Sequence, residues 1–259
     1  MSKNTSLNVR KLLAHIETFA PSTLAEEWDN PGLMLGSYDS EVSRVAICLD
    51  AVSEAVISAH EQGCNVLLAH HPLIFRGIKK IDVDSELGRT IGEAIKRNVA
   101  IIAAHTNWDK AAGGVNDTLA NLLGLHEVEP LDEFGVSGIM PERMKPEEFF
   151  SHVKSSWQLS RIDIYTRNMP EYISRVSLCG GSGSGFWHPA LKHNADVYIT
   201  ADMKYHELID ATRAGLTIGN INHGEMERAS LPELARKISE CGIETVLLNV
   251  NALTEPTRI

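Results

Sequence analysis

Leu67-Leu68-Ala69-His70-His71-Pro72 is an apolar run that closes on two adjacent histidines and a proline, and the rest of the chain is best read outward from it. The residue before a proline is driven to extended backbone, and the ladder does not continue easily through the ring. A buried strand therefore stops here and delivers two imidazoles to one rim. If both face one pocket, each can serve a different metal ion. The pair alone decides nothing: with 11 histidines in 259 residues, chance supplies about 0.4 adjacent pairs.

On either side of this run, strand and helix signals alternate. Arg44 to Asp50 is strand-like, Ser53 to Gln62 has helical spacing with Ala55, Val56 and Ala59 on one side, and Asn65 to Ala69 is a short apolar strand. A helix over Leu87 to Arg97, a strand over Val99 to Ala104 and a helix from Asn116 to Leu123, stopped by Gly124, continue the pattern. Between Val128 and Glu147 it weakens into Pro130, Gly135, Gly138, Pro141 and Pro146, which reads as a crossover between domains. It then resumes. Helices are expected at Pro146 to Trp157, Tyr205 to Ala214 and Leu231 to Cys241. Strands are expected at Ile162 to Thr166, Val176 to Cys179, Ala195 to Thr200, Leu216 to Ile221 and Thr245 to Val250. Such alternation builds parallel βαβ units, whose ligands bind outside the carboxyl ends of the strands.

Composition sets the limits of function. With 43% hydrophobic and 22% charged residues the chain reads as an ordinary globular protein, and its net charge of −10 argues against a global grip on nucleic acid or an anionic membrane. Cys48, Cys64, Cys179 and Cys241 form no C-x-x-C pair, so neither a disulfide framework nor a structural zinc site is expected. Met1-Ser2-Lys3-Asn4-Thr5 has no apolar signal region and no run reaches membrane-spanning length, which makes cytoplasmic residence the expectation.

Three expected strand ends carry metal-type side chains. The first is His70-His71. The second is Ala104-His105-Thr106-Asn107-Trp108-Asp109, and the third is Asn222-His223-Gly224-Glu225-Met226-Glu227. If a helix begins at His223, Glu227 lies one turn further on the same face while Glu225 points away. An H-x-x-x-E pair is a natural clamp, although chance supplies about 1.4 pairs with an acid four residues after a histidine. Convergence is the stronger argument, because a parallel sheet brings such ends to one edge. Histidines with a bridging carboxylate and no thiolate suit zinc, manganese or iron. A pair of such cations lowers the pKa of water and stabilises charge in hydrolysis.

The stretches Glu26-Glu27-Trp28-Asp29-Asn30-Pro31-Gly32-Leu33, Ala69-His70-His71-Pro72-Leu73-Ile74-Phe75, Ala104 to Asp109, Cys179-Gly180-Gly181-Ser182-Gly183 and Ile199 to His206 together resemble the signatures of the GTP cyclohydrolase I type 2 homologue family, the Nif-three-like proteins. They occur in the family's order and cover nearly the whole chain. The resemblance implies two metal ions held by His70, His71, Asp109, His223 and Glu227, with His105 a further ligand or an orienting partner. It also implies two α/β domains with mostly parallel sheets flanked by helices, and a metal site at strand ends near the domain interface. The first domain would be made from both chain ends, residues 1–128 plus 218–259, with 129–217 inserted. A homohexameric ring is implied as well. Ala201 stands where the family usually has glycine, and the long insertion domain of some members is absent.

Other residues have a plainer reading beside a functional one. Gly181, Ser182 and Gly183 could offer N–H groups to an anion or form only a tight strand-to-helix turn. His206, like His105, is a candidate for proton transfer. Asp202 either serves substrate or caps the following helix, and Trp28 and Asp29 read as pins for an N-terminal loop. The expected function is that of a dinuclear-metal hydrolase acting on a nucleotide or phosphorylated small molecule. The alternative is a non-catalytic metal-binding or regulatory interaction protein.

Overall fold

The computed structural model describes residues 7–253, so the polar opening Met1 to Thr5 lies outside the described residues. The chain forms two compact units, residues 1–111 with 231–259 and residues 112–230.

Unit 1 opens with α1 (Val9–Phe19), β1 (Gly32–Leu35), β2 (Val45–Asp50), α2 (Ser53–Glu61), β3 (Val66–His71), α3 (Glu86–Arg97), β4 (Ala100–Ala103) and α4 (Thr106–Lys110). Unit 2 follows with α5 (Val115–Leu123), β5 (His126–Pro130), β6 (Val136–Met144), α6 (Pro146–Ser156), β7 (Ile162–Tyr165), β8 (Ile173–Ser182), α7 (Trp187–Lys192), β9 (Val197–Ala201), α8 (Tyr205–Arg213), β10 (Thr217–Ile221) and α9 (His223–Arg228). The chain then returns to unit 1 with α10 (Leu231–Ser239) and β11 (Thr245–Leu247).

The sheet of unit 1 runs β1-β4-β3-β2-β11, with every pairing parallel except that of β1 with β4. Its inner strands are apolar without a break, Val45-Ala46-Ile47-Cys48-Leu49 and Val66-Leu67-Leu68-Ala69, and both runs are buried. Continuous burial of this kind requires cover on both faces. Ala46, Cys48, Leu67, Ala69 and Ile101 alternate onto one face, where Ala55, Val56 and Ala59 of α2 and Ala94 of α3 pack against them. The strand containing the two histidines is thus the middle of a buried sheet.

Helix α3 starts where Ser85 accepts a hydrogen bond from Gly88 N–H at 3.1 Å, and it ends at Asn98 in the left-handed conformation. At its first position Glu86 accepts the N–H of Ser53, the first residue of α2, at 2.9 Å, and so ties two helix starts together. That bond, with further help from Arg89 and Thr90, lowers the Glu86 pKa to about 2 from the ordinary 4.5. A depressed carboxyl contributes stability above its unfolded pKa and loses it as pH falls toward its folded one. Glu86→Gln should therefore lower the melting temperature at neutral pH and leave it closer to wild type near pH 2, as read by thermal denaturation across that range.

The sheet of unit 2 runs β5-β6-β8-β9-β10-β7. Only β8-β9-β10 are parallel to one another, and the pairings β5-β6, β6-β8 and β10-β7 are antiparallel. This sheet is mixed, with a parallel centre, where a mostly parallel one was expected. Leu131, Cys179, Trp187, Ala190, Tyr198, Ala211, Leu216 and Ile218 make one of its cores. Beyond it, Trp157 Nε1–H donates to Leu119 O at 3.1 Å, joining α5 to the end of α6.

Two sequence expectations are corrected here. The stretch from Val128 to Glu147 is not a plain crossover: β5 and β6 form an antiparallel pair that turns through Asp132 and Gly135, both at positive φ. Strand β5 is exposed throughout and ends in proline, as an edge strand can, so it has no apolar alternation to read. The unit boundaries fall at 111/112 and 230/231, not at 128/129 and 217/218. Helix α5 belongs with the sheet it covers, and Asn116 Oδ1 accepts Gly180 N–H at 2.8 Å. Helix α9, with His223 and Glu227, likewise belongs to unit 2.

Candidate metal centre

In unit 1 the polar side chains gather at the carboxyl ends of β2, β3 and β4, three neighbouring parallel strands. Register places Asp50 beside His71, and Ala69 beside Ala103. The chain leaves β4 through Ala104 and His105 and turns directly into α4, which carries Asp109 one helical turn after His105. Asp109 is therefore a helical residue, not part of a strand end. His70 is buried, and its Nε2 lies 3.5 Å from Asp109 Oδ1. One ligand atom from each of His70, His71 and His105 lies within 4.8 Å of the others. This spacing suits a shared or paired cation.

What orients these rings was only partly visible in the sequence. His70 Nδ1–H donates to Ala104 O at 2.9 Å, His71 Nδ1–H to Asp50 Oδ1 at 2.7 Å, and His105 Nδ1–H to Asp29 Oδ1 at 2.8 Å. In each case the acceptor has no proton to give, so Nδ1 holds the hydrogen and Nε2 keeps its lone pair. This is how metal-ligating histidines are held. Asp29 also accepts Thr106 N–H at 3.0 Å and the Thr106 hydroxyl. Burial pushes its pKa up, but the bonds from His105 and Thr106 outweigh burial and hold it well below the usual carboxylate range. Asp29 does pin the loop, as read from sequence, and it does so through His105.

Unit 2 repeats the logic at the carboxyl ends of β8, β9 and β10. Asn222 accepts Glu225 N–H at 3.0 Å and so starts α9 at His223. Glu227 then falls one turn later on the same side, its Oε1 3.1 Å from His223 Nε2. Glu225 points elsewhere and accepts Ser160 N–H at 2.9 Å. Behind the pair, His223 Nδ1–H donates to Asp202 Oδ2 at 2.7 Å. Burial opposes a charged His223, yet Glu227 and Asp202 on its two sides raise its pKa to about 9. A field that favours a proton there favours a cation too.

Three sequence readings change. Asp202 does not cap α8, whose N-cap is Lys204 with no side-chain bond; it holds His223 instead. Gly183 N–H already donates to Thr200 Oγ1 at 2.9 Å, so this part of the glycine loop is not open to an anion. Gly181, at φ +67°, is there for close approach: a Cβ on it would sit 2.3 Å from Glu227 Oε1. Ser182 stays exposed. His206 is also exposed, in the first turn of α8 and edge-on to Tyr205, outside the metal-capable groups found among the described residues.

The donor types suit divalent metal: imidazoles held at Nδ1, carboxylates and no thiolate. Asp50→Asn is expected to weaken metal binding by about 10–100-fold, because an amide can present its N–H₂ to Nδ1 and release the tautomer. Titration of metal-depleted protein with zinc or manganese reads this directly.

A fold of two α/β units with histidine and carboxylate donors at strand ends defines an α/β protein whose side chains could hold a metal ion. The sequence matches the family Duf34/NIF3 (NGG1p interacting factor 3) over residues 7–255, and the chain belongs to that family. Among relatives, it is 34% identical over 242 residues to a GTP cyclohydrolase 1 type 2 homolog of Clostridium perfringens, covering 90% of this chain and 92% of that one. It is 28% identical over 243 residues to the NIF3-like protein 1 of Drosophila melanogaster, covering 88% and 82%. A solved structure of a Staphylococcus aureus hypothetical protein superposes with TM-score 0.88 at 26% identity over 98% of this chain and 99% of that one. A Bacillus cereus protein related to NIF3 has the same fold, with TM-score 0.91 at 24% identity over 99% and 100%. All four cysteines are free, and no helix among the described residues is long and apolar enough to cross a membrane.

Proposed function

We propose that the chain is a metal-dependent hydrolase whose two divalent ions, zinc, manganese or iron, are held by His70, His71, Asp109, His223 and Glu227, and that it acts on a nucleotide or phosphorylated small molecule. The observation that carries this reading is the fixing of four histidines through Nδ1, three by carboxylates and one by a backbone carbonyl. Four matched acceptors on Nδ1 turn Nε2 of each ring toward the other donors of the site, the arrangement by which metal-ligating histidines are held. When bound, such ions activate water and neutralise the charge that develops in hydrolysis. The chain's own residues do the rest. Asp50, Asp29 and Asp202 hold the imidazoles in register, and Glu227 is the carboxylate suited to bridge. His105, fixed by Asp29, serves as a further ligand or moves a proton at Nε2. The names of the relatives support attack on a purine nucleotide, and a homohexamer in the cytoplasm belongs to the same proposal.

The second reading, a non-catalytic metal-binding or regulatory protein, keeps these ligands, and the family's description as an interacting factor favours it. Elemental analysis of wild type, His71→Ala and Glu227→Ala, run beside a hydrolysis screen across nucleotides including GTP, separates the two. Metal content unchanged in both variants would sink the ligand assignment. Metal loss without turnover of any compound by the wild type would favour the second reading. Light scattering of the wild type tests the hexamer.

A further inference from the structure

The loop before β1 and the loop after β3 each carry an aromatic ring into solvent beside the histidines of unit 1. Trp28 is 56% exposed and Phe75 44% exposed, and their ring centroids are 5.5 Å apart with the planes tilted by 47°. His105 meets both edge-on, at 6.1 Å from each. The same His105 ring stands 5.3 Å from His70 and 5.6 Å from His71. Five rings therefore form one continuous group that passes from solvent to the metal-capable nitrogens.

Exposed aromatic side chains are common where they are loosely held, but these two are held. Asn30 Nδ2–H donates to Ile74 O at 2.6 Å, which joins the loop of Trp28 to the loop of Phe75 two residues from Trp28 and one from Phe75. Asp29, between Trp28 and Asn30, is fixed by His105 and Thr106. Three consecutive residues thus have three jobs: Trp28 presents a face, Asp29 orients a metal-type histidine, and Asn30 sets the distance to the second ring. Leaving this much apolar ring in water costs free energy that a ligand's ring would recover.

Resting on the metal-centre reading above, the geometry points to Trp28 and Phe75 as a platform that stacks a flat heteroaromatic ring of the substrate beside His105, with Asn30 as its positioning residue. The loop beyond Phe75 also exposes Ile78, Ile81 and Val83, but only the two rings run into the histidine group, and that continuity favours a flat ligand ring over a protein partner. The loop of Phe75 also continues through Arg76, Lys79 and Lys80, a cationic stretch in a chain of net charge −10. A ring that carries phosphate would find charge of the right sign there.

The four tryptophans make the test direct, since Trp108, Trp157 and Trp187 are buried and Trp28 is exposed. Metal-loaded full-length protein is titrated with GMP and 4-nitrophenyl phosphate as flat-ring probes and with ribose 5-phosphate as the ring-free control. Tryptophan fluorescence and calorimetry report binding. The flat-ring probes should quench Trp28, and Trp28→Ala and Phe75→Ala should each weaken them by about tenfold or more, as loss of a stacking face does. Trp28→Phe should restore most of the affinity. Ribose 5-phosphate should bind wild type and variants alike, and metal content should not change. Equal binding of GMP to wild type and Trp28→Ala overturns the platform, as does failure of every flat-ring probe to bind wild type. A change of oligomeric mass in Trp28→Ala with unchanged probe affinity makes the rings a subunit contact and also overturns it. Loss of metal from wild type on mild dialysis with GMP binding still dependent on Trp28 would instead strike the metal reading and leave the platform standing.

Discussion

Glu227→Ala is expected to yield protein that folds but retains less than about a tenth of the wild-type metal, a larger loss than replacing an aspartate behind an imidazole, such as Asp50, produces. Glu227 is 3% exposed, sits one turn after His223 on a helix started by Asn222, and faces His223 Nε2 across 3.1 Å. A carboxylate in that position offers two oxygens to a cation, so its removal subtracts donor atoms as well as a charge. The matched control is Glu225→Ala on the same helix. It removes the acceptor for the N–H of Ser160, an exposed residue that water can reach, so the loss is that of one hydrogen bond, about 1 kcal/mol. That variant should melt earlier and keep its metal. Elemental analysis after exhaustive dialysis, read beside thermal denaturation, distinguishes the two. Wild-type metal content in Glu227→Ala would remove Glu227 from the ligand set.

Gly181→Ala should reproduce much of the metal loss of Glu227→Ala without touching a ligand. At φ +67° an alanine pays roughly 1 kcal/mol in backbone strain, which shifts the melting temperature of a chain of this size by only about 2–4 °C. The added Cβ would lie 2.3 Å from Glu227 Oε1 and 3.4 Å from His223 Cε1. The carboxylate is the far end of a flexible side chain, so it moves and the fold stays. The expected result is metal affinity lowered more than tenfold with circular dichroism unchanged. Glu227 would then be limited by position and not by chemistry. Wild-type affinity in Gly181→Ala would show that the carboxylate tolerates displacement.

Much of this protein could be read before any coordinates. Uninterrupted apolar runs such as Val66 to Ala69 announce buried parallel strands, because both faces must avoid water, and the H-x-x-x-E spacing of His223 and Glu227 follows from 3.6 residues per turn once Asn222 caps the helix. The antiparallel pair β5-β6 was missed because His126 to Pro130 lies exposed at a sheet edge and carries no apolar period. The boundary near residue 112 was missed because a helix belongs to whichever sheet buries its face, and α5 could have covered either.

The ligand-type residues were therefore determined by local sequence, since strand ends and helix periods are local properties. Their support was decided only by tertiary structure. Asp29 is 76 residues from His105, Asp50 is 21 from His71, and Asp202 is 21 from His223. No periodicity links such pairs; sheet register and chain crossovers bring them together. The acceptor behind each ring, the glycine that lets Glu227 in, and the pairing of Trp28 with Phe75 all depend on contacts between distant segments, which only the folded chain can make.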